Sequence, residues 1–327
     1  MEKLRSGYID ALRIAAIVCV LFNHQSIYYE VNDPVLCAFS ILTKIGPPMF
    51  FMISGALLLG KEESFAHILK HRISRILIVM LARSVLVLLL MPQYRSHPLQ
   101  VFISGNIWFL YAYLGFLLML PFLRHIAKGA NETEQKAFIA LSIICYLIAG
   151  LSRGFSFTEG FTQYLPLYTS VLPKLSENIV FPLIGYFLAK GQLIRGAKEK
   201  LILALTAALH VILSVCLIKA SGSSDHEHLE DLRMYFVIPL AILIFVLARD
   251  HITKANKYLQ IAAGTVFGIF ILDTTFFLAG DIEGFITSAI PGIPQFAACT
   301  LVVIAEFAAY GALTYLLKLI PPVRKVL

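Results

Sequence analysis

The stretch YIDALRIAAIVCVLFNHQ, residues 8–25, is apolar enough to span a bilayer yet carries Asp10, Arg13 and His24. At about 100° per residue, Arg13 and His24 differ by only about 20° in direction across eleven positions. Asp10 lies three residues before Arg13, within pairing reach on the same face. The three side chains therefore form one polar stripe on an apolar helix. A charged group inside a bilayer costs about 2.5–3.5 kcal/mol on insertion scales, so such groups turn toward protein or a polar cavity and mark candidate functional sites.

The rest of the chain sets the class. Of 327 residues, 58% are hydrophobic and only 14% are charged, against about 25% charged in soluble domains. This composition predicts an all-α, polytopic membrane protein. At about 20 apolar residues per span, ten transmembrane helices are expected, near 8–28, 35–59, 73–91, 106–123, 137–152, 172–189, 201–219, 234–248, 258–279 and 296–317. No cleavable signal peptide, linker, internal repeat or appended soluble domain is evident, so residues 1–327 are expected to form one transmembrane domain.

The net charge of +7 is a topology signal rather than a nucleic-acid patch. Most lysines and arginines fall in alternate loops. With the N-terminus in the cytoplasm, the outer segments hold only Arg95, Arg153, Lys174, Lys219 and Arg233. The positive-inside rule then places both termini in the cytoplasm. Cys19, Cys37, Cys145, Cys216 and Cys299 are scattered without a CxxC pair and are expected to act as packing residues. The segment SGSSDHEHLEDLR, within the outer loop near 220–233, reads as a solvated acidic loop. Its His226 and His228 lack the further ligands that define a metal geometry. No metal site is expected.

Depth along each helix, at 1.5 Å per residue, suggests which polar groups meet. Counted from Tyr8, Arg13 lies about 7 Å in and His24 about 24 Å in. The ninth span also runs outward, and Asp273 lies about 22 Å beyond Tyr258. A carboxylate level with a histidine can fix its tautomer and stabilise its protonated form, a general-base arrangement. HRISR places Arg72 and Arg75 on one face at the cytoplasmic start of the third span, where guanidinium groups suit phosphate oxygens as well as they serve ordinary anchoring. Lys44, Arg83, His210 and Glu306 also fall within spans and need partners that spacing does not supply. Pro47 and Pro48 should bend the second span, and Ser54-Gly55 permits close helix approach. Trp108 is placed as an interfacial aromatic residue.

Together these motifs resemble the acyltransferase-3 family of bacterial membrane proteins, in its compact form without a fused hydrolase-like domain. The opening helix carries the family's Arg-ten-His signature as Arg13 and His24, and HRISRIL carries Arg-x-x-Arg as Arg72 and Arg75. GPPMFFMISGALLLGKEES, NIWFLYAYLGFLLMLPFL and AAGTVFGIFILDTTFF are similar to its second helix, its Trp-Phe-Leu segment and its ninth helix. Asp273 and Asn106 stand where many relatives carry histidine, and Ile14 stands where relatives often have glycine.

The resemblance implies transfer of an acyl group, commonly acetyl from acetyl-CoA, to a hydroxyl of an extracytoplasmic cell-envelope glycan or glycolipid at the bacterial inner membrane. His24 would be the catalytic histidine, Asp273 its acid partner, and Arg13, Arg72 and Arg75 would hold the anionic donor. Asp10, Asn106 and Trp108 would support the site. Partners are then the bilayer, acyl-CoA and a carbohydrate acceptor, with no nucleic acid and no signal for an oligomeric state. The alternatives are a transporter exporting an acylated or anionic small molecule along the same path, and a catalytically silent assembly protein that tolerates loss of His24. The paired arginine motifs with the histidine favour the enzyme.

Overall fold

A computed structural model describes residues 7–103, 107–154, 176–190, 193–222, 225–254 and 256–327. Among these residues the fold is helical without strands. The main elements are α1 Gly7–Asn23, α2 Pro34–Thr43, α3 Gly46–Leu58, α4 Phe65–Leu90, α5 Trp108–Gly129, α6 Glu132–Gly154 and α7 Glu177–Ala189. They continue with α8 Ala197–Ser221, α9 His226–Met234, α10 Ile238–His251, α11 Lys257–Phe276, α12 Ala279–Ala289 and α13 Gln295–Leu317.

Each of the ten expected spans contains a helix. Seven spans are long and apolar enough to cross a membrane, α2 and α3 counting as one, or eight if the bent pair α9–α10 is another. The protein is thus an all-α, multi-pass membrane protein. At 17 residues α1 is just short, and the chain continues outward through a 3₁₀ turn, Ser26–Tyr29. α7 has 13 residues, and the expected start of its span, residues 172–175, lies outside the described residues. α4, α5, α6 and α8 outrun the expected limits, whereas α10 starts at Ile238 and α11 ends at Phe276, inside theirs. α4 begins at Phe65 and α6 at Glu132 because their first turns carry the charged and histidine residues that apolar counting leaves out.

The breaks have local causes. Asp33 caps α2, its carboxylate accepting from the N–H groups of Val35 and Leu36, and Pro34 supplies a first-turn residue with no N–H to satisfy. Gly46-Pro47-Pro48 then interrupts the hydrogen-bond ladder and starts α3, as expected for this pair of prolines. The acidic segment at 225–233 departs from the loop expectation. Asp225 caps α9, Leu229, Leu232 and Met234 are buried, and Glu230 is ion-paired with Lys44. An i, i+3 apolar pair hidden in an acidic stretch is enough to dock a helix.

α1 lies at the centre, packed by α2, α3, α10, α11 and α13. Its Ile9, Leu12, Ala16, Ile17 and Leu21 are buried, and Asp10 is fully buried among them. Asp10 of the polar stripe therefore faces protein, while Arg13 lines a cavity and His24 stays partly open. The closest packing joins α3 and α7. A Cβ on Gly55 would lie 1.9 Å from the Pro182 carbonyl oxygen, and one on Gly185 would lie 2.0 Å from that of Met52. Only two glycines allow the backbones to touch there, the close approach that Ser54-Gly55 foretells. Outward faces are apolar: Leu77, Ile78, Leu81 and Leu89 on α4 and Leu201, Leu205, Leu209 and Ile212 on α8 are exposed, as lipid contact requires.

Candidate active site

α1 ends at Asn23, and His24 follows on a turn in which its N–H bonds the Leu21 carbonyl. There His24 Nδ1 lies 2.6 Å from Asp273 Oδ2, joining residues 249 positions apart. Asp273 is 1% exposed, whereas about a third of the His24 side chain (34%) is open. With Asp273 ionised, Nδ1 carries the proton and donates it, which leaves the Nε2 lone pair as the basic atom. Among the described residues Nε2 makes no hydrogen bond. One side of the ring is held and the other is available.

The acid is held from behind. Arg83, buried on α4, donates to the Thr274 carbonyl at 2.6 Å and to the Val101 carbonyl at 3.1 Å, fixing α11 beside Asp273. A second buried carboxylate, Glu306 on α13, accepts from Gln25 Nε2 at 3.1 Å. Gln25 also donates to the Leu21 carbonyl at 3.2 Å, so the residue next to His24 is tied to both α1 and α13. Lys44 pairs with Glu230, which supplies the partner that spacing left open. His210 accounts for itself apart from the site: its Nδ1 meets the Thr206 carbonyl at 2.8 Å and its ring lies edge-on to Phe236.

Beyond the end of α1, Ser26, two residues past His24, donates to Glu283 of α12 at 2.6 Å and accepts from Gln295 Nε2 of α13 at 3.0 Å. These groups gather a hydroxyl, a carboxylate and an amide two residues along the chain from the histidine. Neither Gln295 nor Glu283 stands out in the sequence, because only the fold brings them to Ser26.

Toward the other end lies a cavity of about 720 Å³. Arg13, Lys61, Arg72, Arg75 and Lys318 line its mouth, with His67 and His71 beside them. The expected arginines thus converge, and Lys61, Lys318 and the two histidines join them without having been singled out by spacing. A π-helical stretch, Ile68–Ile73, lies inside α4 at this point. The His67 and His71 rings, four residues apart, lie tilted against each other at 4.4 Å, and both line the cavity with Arg72 and Arg75. Such π turns recur at functional sites.

The arginines are oriented by protein partners. Glu63 holds Arg72 through two bonds, Nε to Oε2 at 3.0 Å and Nη2 to Oε1 at 2.5 Å, and also accepts from Arg124 at 3.0 Å. Arg72 and then Arg124 hold the Glu63 carboxyl down at about 2, against partial burial. Arg75 donates to the backbone carbonyls of Val326 at 2.7 Å and Leu327 at 3.0 Å, bringing the C-terminal residues to the mouth. Arg13 meets Asp10 at 3.5 Å, the pairing expected from their spacing but a long one. Trp108 is 45% exposed with its ring edge-on to Phe109, and Asn106 lies outside the described residues.

Above the cationic mouth the cavity wall turns aromatic, with Phe50, Phe109, Tyr113, Phe267 and Phe270. Phe270 is one helical turn, about 4.5 Å of rise, before Asp273. A polyanion-compatible mouth, an apolar passage and a histidine–carboxylate pair therefore lie in sequence along α1 and α11.

These features describe a multi-pass membrane enzyme of group transfer, and comparison with known families makes the class specific. Residues 6–314 match the Acyl_transf_3 family model, described as an acyltransferase domain, and the chain belongs to that acyltransferase-3 family. It is a membrane acyltransferase. No curated protein and no solved structure gives a match.

Proposed function

We propose that the protein moves an acyl group, with acetyl the expected one, from cytoplasmic acyl-CoA to a hydroxyl of a cell-envelope glycan or glycolipid on the outer side of a bacterial inner membrane. The carrying observation is the placement of the His24–Asp273 pair one turn beyond a cavity whose mouth gathers Arg13, Arg72 and Arg75. The cavity suits the donor chemically. Planar guanidinium groups match phosphate oxygens, and an aromatic, low-polarity passage suits a pantetheine arm and its thioester.

In this reading His24 Nε2 takes the proton from the acceptor hydroxyl while Asp273 stabilises the imidazolium that forms. The acceptor oxygen bonds to the thioester carbonyl carbon, the carbon–sulfur bond breaks, and the leaving thiolate recovers the proton from His24. Ser26, Glu283 and Gln295 offer hydrogen-bond partners to other hydroxyls of an acceptor arriving from outside. The positive-inside distribution supports a cytoplasmic arginine mouth, on the side where acyl-CoA is made. A histidine–carboxylate pair can also relay protons in a transporter, and it is the family match that favours acyl transfer.

The donor assignment is tested by equilibrium binding of CoA to the purified protein in lipid. The double variant Arg72→Ala/Arg75→Ala should weaken binding by about 100-fold, given about 1.5–3 kcal/mol for each charged hydrogen bond. Equal affinity in wild type and variant would remove the arginines from the donor site.

A further inference from the structure

The cavity stops short of the catalytic pair. Phe109 and Phe270 line its deep end, but neither His24 nor Asp273 does. The two rings meet edge to face, with centroids 5.7 Å apart and planes at 70°. Phe50, also in the cavity wall, and buried Phe51 pack on Phe109 at 5.8 and 5.1 Å. Phe270 is 8% exposed, so the ring is packed on nearly every side. This junction sits on the route between the cationic mouth and Asp273, one helical turn below the acid.

We propose that Phe109 and Phe270 form an aromatic constriction that sets the length of the acyl chain the enzyme transfers, admitting two-carbon and similarly short groups and excluding long ones. The inference rests on the reading of the cavity as an acyl-thioester site. A donor anchored by its phosphates at the mouth presents its sulfur and carbonyl at the deep end. For that carbonyl to meet an acceptor held by His24, the acyl group and whatever follows its carbonyl must pass between these rings. Edge-to-face rings at this separation are in van der Waals contact and leave no channel for a hydrocarbon tail. A methyl group asks for a small ring displacement, whereas a longer chain asks for removal of a ring. Interiors packed to this density resist such overfilling.

Truncating either ring should open room for added methylenes. Each newly buried methylene contributes about 0.8 kcal/mol, or about fourfold in kcat/KM. Butyryl carries two methylenes more than acetyl, so Phe270→Ala and Phe109→Ala should each raise the butyryl-to-acetyl ratio of kcat/KM by about fifteenfold. The experiment compares acetyl-, butyryl- and octanoyl-CoA with the full-length wild type and both variants in lipid, alongside CoA binding. A ratio of two substrates on one preparation does not depend on the fraction folded. The expected wild-type order is acetyl above butyryl above octanoyl, with the ratio moving toward butyryl in both variants. A wild type that transfers octanoyl as well as acetyl, or active variants that keep the wild-type ratio, would overturn the constriction and leave the donor site standing. A wild type that neither binds CoA nor cleaves its esters would overturn the donor reading and this inference together.

Discussion

Replacing Asp273 by asparagine exchanges one carboxylate oxygen for an amide nitrogen at a position that is 1% exposed and 2.6 Å from His24 Nδ1. Shape and volume are almost unchanged, so packing around α11 should survive. The chemistry is not preserved. The carboxylate only accepts, and it therefore enforces an Nδ1–H tautomer with a basic Nε2. The amide can also donate to Nδ1, which traps the opposite tautomer and puts a proton on the atom that must receive one. It also removes the negative charge facing the imidazolium in the transition state. A hydrogen bond to an ionised partner contributes about 1.5–3 kcal/mol, and each 1.36 kcal/mol is tenfold in rate. The loss in kcat should therefore be about 100-fold. The KM for acyl-CoA should stay within about twofold, since Asp273 does not line the donor cavity. Steady-state release of CoA thiol by purified protein in lipid reads both constants, and a thermal melt checks the fold. An Asp273→Asn variant with kcat within threefold of wild type would refute the pairing as the source of His24 basicity.

Two further predictions concern the frame. Gly185→Val forces a side chain into a space where even a Cβ would lie 2.0 Å from the Met52 carbonyl oxygen. It should separate α3 from α7 and lower the unfolding midpoint sharply, with overpacking costs of about 1–3 kcal/mol or more; an unchanged midpoint would mean that the two helices do not touch. The Glu63 carboxyl, held at about 2 by Arg72 and Arg124, contributes stability that is fully present above its unfolded value near 4.5 and is lost as pH falls through about 2. The melting-temperature gap between wild type and Glu63→Gln should therefore close between about pH 5 and pH 2, and a gap independent of pH would deny the ion pair.

Much of this architecture is legible in the chain because membrane helices obey simple rules. Apolar length locates the helices, Pro47-Pro48 marks a break, and Ser54-Gly55 marks a contact. Depth counting brings Asp273 level with His24 because both helices start from the same side and rise at the same pitch. Other parts do not follow from local pattern. Glu306 finds Gln25, and Lys44 finds Glu230, through packing between helices distant in sequence. His67, His71 and Arg75 follow at i, i+4 and i+8 and share a helix face through the π stretch at Ile68–Ile73, but nothing in that spacing says that the face lines a cavity. α9 was hidden by its charge, since three apolar residues in an acidic run carry little weight in a hydropathy reading but are enough to bury one face. Ser26, Glu283 and Gln295 come from a turn, a short surface helix and a helix start, and no spacing links them.

The central claim is that His24 Nε2 is the base in acyl transfer from CoA. It is tested most directly by acceptor-dependent CoA release from acetyl-CoA, with a pool of cell-envelope glycans, by wild type and His24→Ala in lipid. General-base catalysis contributes about 10²–10⁴-fold. The account predicts an active wild type and a folded variant that still binds CoA but releases it at least about 100-fold more slowly. A His24→Ala protein as active as wild type would contradict it.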